Sequence, residues 1–193
     1  YKADELAAPN AKSYWDTNKE KESSQLALFK KYELYNRDFY LELKNTCMES
    51  SIDFMTTFFS TNLIDELGDL VDKYKISSSD LTNRLLVERI VKEGKPIIAS
   101  IGASSFDEVK EFVDYVDSLR SKVDLTLLHC VLNYPTNPKD ANLNVISKIK
   151  ELFPDRKVGY SCHVAGKDGI NACRVASILG ASVIEKHMTP CNL

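Results

Sequence analysis

Six short apolar runs rich in β-branched residues recur along the chain, and each closes in polar residues. They are IDFMTTFF (52–59), YKISSSD (74–80), KPIIASIG (95–102), DLTLLHCV (124–131), KVGYSCH (157–163) and SVIEKHMT (182–189). With Phe54, Tyr74, Pro96, Leu125, Val158 and Val183 as markers, successive runs lie 20, 22, 29, 33 and 25 residues apart. That interval accommodates one strand and one helix, so the rhythm is that of a parallel α/β sheet and not of a sandwich. The intervening segments have helical periodicity. In SSFDEVKEFVDYVDSLR, Phe106, Val109, Phe112, Val113, Val116 and Leu119 share one face, and Ser105 with Glu108 forms a capping box at the start. In ANLNVISKIKELF, Leu143, Ile146, Ile149 and Phe153 recur in the same way. Neither a glycine-rich dinucleotide fingerprint nor a P-loop is present. Six βα units of this size suit a (β/α)8 TIM barrel short of its first two strands, formed by residues 1–193 as one partial domain. The region before residue 52 reads as helix and loop, with DTNKEKESSQ as solvated surface.

Composition narrows the function classes. The chain is 44% hydrophobic and 27% charged with a net charge of −3, which gives no basic face for nucleic acid or an anionic membrane. No apolar run approaches the length of a membrane span. Five cysteines (Cys47, Cys130, Cys162, Cys173 and Cys191) form no CxxC pair and are odd in number. Reduced thiols and a cytoplasmic location are therefore expected, with no signal peptide. The start at Tyr1 suggests that the chain is not a whole gene product.

In barrels of this type chemistry gathers at the carboxyl ends of the strands. Those ends hold Thr56 and Thr57; Lys75, Ser77, Ser78 and Asp80; Ser100; Tyr134; Ser161 and His163; and Glu185, Lys186 and His187. His163 and His187 are 24 residues apart, one βα repeat, and two imidazoles on neighbouring strands could share a divalent metal. Lysine with nearby hydroxyls suits a phosphate or carboxylate anion. The bland readings stand beside these. Ser77–Ser79 could be turn chemistry, and His129 with Cys130 reads as strand packing. Lys75, two residues before a serine run and inside a strand, needs an anion or a carboxylate partner.

In order, the pieces YKADELAAPNAKSYWD, DFMTTFF, KISSSDLTN, KPIIASIGASSFDEV, HCVLNYPT, GYSCH and GASVIEKHMT resemble the sialic acid (N-acetylneuraminate) synthases over nearly all 193 residues. The resemblance implies a barrel that condenses phosphoenolpyruvate with open-chain N-acetylmannosamine or a related N-acetylated amino sugar and releases phosphate. It implies a divalent ion, Mn²⁺ or Mg²⁺, as Lewis acid, and a homodimer in the full-length protein. Matched residue by residue, His163 and His187 correspond to metal ligands, and Lys75, Ser78, Thr57 and Ser161 to groups holding phosphoenolpyruvate. Tyr134 and Asn10 correspond to sugar contacts, while Glu185 and Lys186 would support the site at the strand end, Lys186 as a further substrate-binding residue.

Several features depart from that pattern. The strands expected to carry a catalytic glutamate and a KxQT motif would precede Tyr1. A sugar-binding aspartate and a small antifreeze-like domain would follow Leu193. Asp80, Glu185 and Lys75 are the remaining candidates for catalytic groups, and the chain alone is expected to be inactive. Cys162 stands where an acidic residue is usual, Leu132 where a polar one is, and VAGKDGINACRV reads as an unusually long loop. Two alternatives stay open: a metal-dependent or Schiff-base aldolase using Lys75 or Lys186, and a truncated, inactive barrel.

Overall fold

The structure, a computed structural model, describes residues 1–119 and 122–189. Cys191 therefore lies outside the described residues. The chain divides into two compact units, Tyr1–Lys73 and Tyr74–Leu193.

The first unit is mostly helix and loop, as its sequence suggests. Helices α1 (Ala3–Leu6), α2 (Gln25–Tyr32) and α3 (Arg37–Glu49) precede the short strand β1 (Met55–Thr57) and helix α4 (Thr61–Leu67). Ser24 and Asn36 cap α2 and α3, their side chains accepting from the Ala27 and Phe39 amides. Arg37 grips Asp69 through two hydrogen bonds of 2.8 and 2.6 Å. The segment over residues 16–25 is largely exposed, consistent with solvated surface.

Five strands carry the second unit: β2 (Lys73–Ile76), β3 (Ile97–Ser100), β4 (Leu125–His129), β5 (Lys157–Cys162) and β6 (Val183–Lys186). They pair in sequence order, and every pair is parallel. Helices α5 (Arg84–Val91), α6 (Phe106–Ser118), α7 (Asn144–Leu152) and α8 (Gly166–Ile178) alternate with them. All six runs named above contain a strand, counting β1 in the first unit. For β4 the reason is burial on both faces, since every one of its residues is buried, whereas β1 and β6 keep exposed residues.

The helices bury narrow stripes. On α6, Val109, Phe112, Val113 and Val116 are buried, while Phe106, its first residue, is 42% exposed. The stripe expected from periodicity is thus shorter at its start than the sequence suggested. The Ser105–Glu108 capping box forms in both directions. On α7, Ile146 and Ile149 are fully buried and carry the contact. The segment read as a long loop, VAGKDGINACRV, is instead most of α8. Its inner face is Gly169, Ala172 and Ala176, so the helix lies close to the sheet on small residues and leaves a weak apolar signal. A Cβ at Gly169 would stand 2.2 Å from the Val164 carbonyl oxygen. Gly159, in the middle of β5, is equally constrained: a Cβ there would lie 2.4 Å from Leu128 Cδ2 and 2.5 Å from Val183 O.

Candidate active site at the strand ends

Register decides which side chains meet. Ser161 pairs with Glu185 and Cys162 with Lys186, and one step earlier His129 pairs with Tyr160. Side chains alternate across a strand, so Cys130, Ser161, His163, Glu185 and His187 share one face. His129, Tyr160, Cys162 and Lys186 share the other. The first set, with Lys75, Ser77, Ser78, Ser79, Ser100, Ala103, Leu132 and Tyr134, lines a cavity of about 310 Å³.

Lys75 is buried at its floor, 8% exposed. Its Nζ donates to Ser100 Oγ at 2.9 Å and lies 3.6 Å from Glu185 Oε2. The carboxylate partner that a strand lysine needs is thus Glu185. Ser161 Oγ donates to the other oxygen, Oε1, of the same carboxylate. Ser78 Oγ accepts the Gly102 amide at 3.1 Å and lies 3.3 Å from Cys130 Sγ. Turn chemistry operates as well, since Ser77 caps the 3₁₀ turn Ser78–Asp80. The serine run therefore closes the strand and lines the cavity at once.

The imidazole pair forms one wall. The His163 and His187 centroids are 5.3 Å apart, with the Tyr134 ring 4.0 Å from the first and 5.8 Å from the second. His163 Nδ1 lies 2.6 Å from the Val131 carbonyl oxygen. A carbonyl only accepts, so Nδ1 carries the proton and Nε2 keeps a free lone pair; Ser161 Oγ lies 3.4 Å away but gives its one proton to Glu185. Burial pushes the His163 pKa below its ordinary value, chiefly by desolvation, with the Val131 hydrogen bond opposing. A neutral ring anchored through Nδ1 is how a metal-binding histidine is oriented. With metal–nitrogen bonds of about 2.1 Å, two imidazoles on one ion have centroids roughly 5 Å apart. The donor pair fits a divalent ion on both counts. Among the described residues no group of three His, Cys, Asp or Glu is placed to hold a metal ion.

Other sequence candidates are placed differently. Asp80 accepts from Ser79 Oγ and Asn83 Nδ2 beside the start of α5 and is not among the cavity residues. Lys186 is on the opposite face of β6, where its Nζ donates to Cys162 O and Val164 O. Thr57 ends β1 half-buried and Asn10 sits exposed in a turn, both in the first unit. Leu132 borders the cavity, 49% exposed, with no hydrogen bond to give.

Cys130, expected with His129 to be strand packing, instead lines the cavity, as does Ser100, for which the sequence suggests no role. The pairing of His129 with Tyr160 puts Cys130 level with Ser161 on the cavity face, so strand parity was the available signal. His129 itself is packing: it is buried, stacks on Tyr160 at 5.7 Å, and its Nε2 meets the Ala141 carbonyl oxygen at 2.8 Å. Cys162, the residue in place of an acid, points into the helix layer, 3.6 Å from Gly169 O.

Residues 1–192 match the model of the NeuB family. The chain is 35% identical over 199 residues to the N,N'-diacetyllegionaminic acid synthase of Legionella pneumophila, covering 98% of this chain and 53% of that protein. It is 35% identical over 156 residues to the N-acetylneuraminate-9-phosphate synthase of Mus musculus, covering 80% of this chain and 42% of that protein. The crystal structure of the N-acetylneuraminic acid synthetase of Leptospira borgpetersenii, a citrate complex, superposes with a TM-score of 0.78 at 33% identity. That match covers 86% of this chain and 56% of the synthetase, and it makes the α/β fold that of a partial TIM barrel. The chain spans about half the length of the curated relatives it matches.

Proposed function

The chain belongs to the NeuB family, and on that premise we propose that it carries part of the active site of a nonulosonic acid synthase. The reaction joins carbon 3 of phosphoenolpyruvate to the aldehyde carbon of N-acetylmannosamine or a related N-acetylated amino sugar. Water adds at carbon 2 and phosphate leaves. In this reading the barrel's first two strands, with the proton acceptor for that water, come from outside residues 1–193, and the complete protein acts as a homodimer.

The observation that carries the reading is the cavity floor: one buried lysine ringed by hydroxyls, with a carboxylate and an imidazole pair beside it. Lys75 supplies the positive charge for a phosphate or carboxylate, and Ser78, Ser100 and Ser161 supply directional hydrogen bonds. Glu185 holds Lys75 and Ser161 in place from β6. Its distance from Lys75 leaves room for a bound anion to compete for the ammonium. Tyr134, exposed over the imidazoles, offers a face and a hydroxyl to a sugar. His163 and His187 would hold a Mn²⁺ or Mg²⁺ ion, which supplies Lewis acidity at the aldehyde oxygen when bound. Thr57 and Asn10 remain proposed contacts for phosphoenolpyruvate and for the sugar, and Asp80 a proposed supporting carboxylate.

Sugar-dependent phosphate release tests this in a longer protein containing these residues. Lys75→Ala should raise the Michaelis constant for phosphoenolpyruvate at least tenfold; an unchanged constant puts the anion elsewhere. Borohydride with pyruvate should trap no adduct. A trapped imine at Lys75 or Lys186 would favour the aldolase alternative. The 193-residue chain by itself should bind phosphoenolpyruvate but release no phosphate.

A further inference from the structure

Lys186 lies between Glu185 and His187, yet it faces away from the cavity they share and lines a neighbouring one of about 320 Å³ with His163, His187 and Tyr134. Register explains this, since Lys186 pairs with Cys162 and both project into the helix layer. There its Nζ lies 2.7 Å from Val164 O and 3.3 Å from Cys162 O. Those two carbonyls flank His163 on either side. The His163 carbonyl between them accepts the Thr136 amide at 2.9 Å. Three successive carbonyls past the body of β5 are thereby tied down, two of them by a single side chain from the next strand. Gly169 completes the arrangement: a Cβ there would press on Val164 O and stand 3.2 Å from Lys186 Cε.

We propose that Lys186 is a positioning residue for the His163–His187 pair. Its backbone belongs to the residue before His187, and its ammonium bridges the carbonyls before and after His163. One side chain thus sets the separation and tilt of two rings carried by different strands. Charge-assisted hydrogen bonds to carbonyls are short and directional, which suits a clamp better than a freely rotating surface lysine. The ligand the clamp serves is a divalent cation. To that extent the inference rests on the proposed role of the pair, and the test keeps the two separate.

The chain contains three histidines, so its imidazole proton spectrum is simple to assign. His129, buried on the helix side, reports on the fold independently of the pair. In the metal-free 193-residue chain, a nuclear Overhauser contact is expected between the His163 and His187 rings. Lys186→Met should abolish it while leaving the His129 resonances in place, and Lys186→Arg, which keeps several donors, should restore it. Titration with Mn²⁺ alone should show affinity lowered about 10- to 100-fold in Lys186→Met and recovered in Lys186→Arg. If the wild-type chain binds no Mn²⁺, the metal reading fails, while the ring contact still decides the positioning role. An unchanged ring contact in Lys186→Met overturns the proposal. If Lys186→Met also moves His129, Lys186→Gln is read the same way. Displacement of His129 in both variants overturns the proposal too, because Lys186 is then a general support of the fold.

Discussion

Lys75 Nζ and Glu185 Oε2 are 3.6 Å apart, although three parallel strands, β3, β4 and β5, separate β2 from β6. In a flat sheet four strand spacings would separate them by roughly 19 Å. The sheet of the second unit must therefore curl strongly toward the face that bears both residues. That curl turns a row of strand ends into a concave site.

This ion pair should be coupled but modest. Glu185 has a side-chain exposure of 34%, so water screens part of the attraction that the buried Lys75 feels. A double-mutant cycle with Lys75→Met and Glu185→Gln, read by urea denaturation, is expected to give a coupling of about 1 kcal/mol. Strict additivity would mean that the contact contributes nothing to holding the curl.

Gly159→Ala should destabilise the second unit by about 1–3 kcal/mol through overpacking. The added methyl would meet Leu128 Cδ2 at 2.4 Å and the Val183 backbone oxygen at 2.5 Å, on the strands either side of β5. A backbone oxygen cannot rotate away as a side chain can. Unchanged urea midpoints in the alanine variant would show that β6 shifts freely.

Ser105→Ala removes one half of the capping box at α6, where Ser105 Oγ accepts the Glu108 amide and Glu108 accepts the Ser105 amide. Loss of such a cap costs about 1 kcal/mol. Amide exchange in the first turn of α6 should quicken, with β3 and β4 unaffected.

Acidification should weaken the fold through His129. Desolvation lowers its pKa below the ordinary value of 6.5, with the Ala141 hydrogen bond opposing. Below that ordinary value the unfolded chain takes up a proton that the folded chain resists. The stabilisation from the neutral ring is thus complete above about pH 6.5 and declines as pH falls toward the folded pKa. Melting temperature should drop across that window, and His129→Gln should flatten the slope. An equal slope in the variant would assign the effect to other groups.

The alternation of strands and helices was legible in the sequence because two-sided burial gives runs such as DLTLLHCV no polar side to show. The candidate site was legible at the level of strand ends, where His163, His187, Lys75 and Ser161 interrupt apolar sequence. What escaped was direction. Cys130 and Lys186 are each one residue away from a site residue, and only register tells which face they take. Helix α8 escaped for a different reason: docking on Gly169, Ala172 and Ala176 needs small residues, which carry little hydrophobic periodicity.

The pairing of Ser161 with Glu185 and Cys162 with Lys186 also limits how this sequence can change over time. Loops at the strand ends can lengthen or shorten with little effect on what lies beneath them. Loss of a single residue within β6 would not merely loosen the site. It would send Glu185 and His187 into the helix layer and bring Lys186 to face Lys75, reversing the charge of that wall in one step. Substitutions can be sampled gradually along Val183–His187, but a single-residue deletion or insertion there turns every site residue of the strand to the wrong face at once.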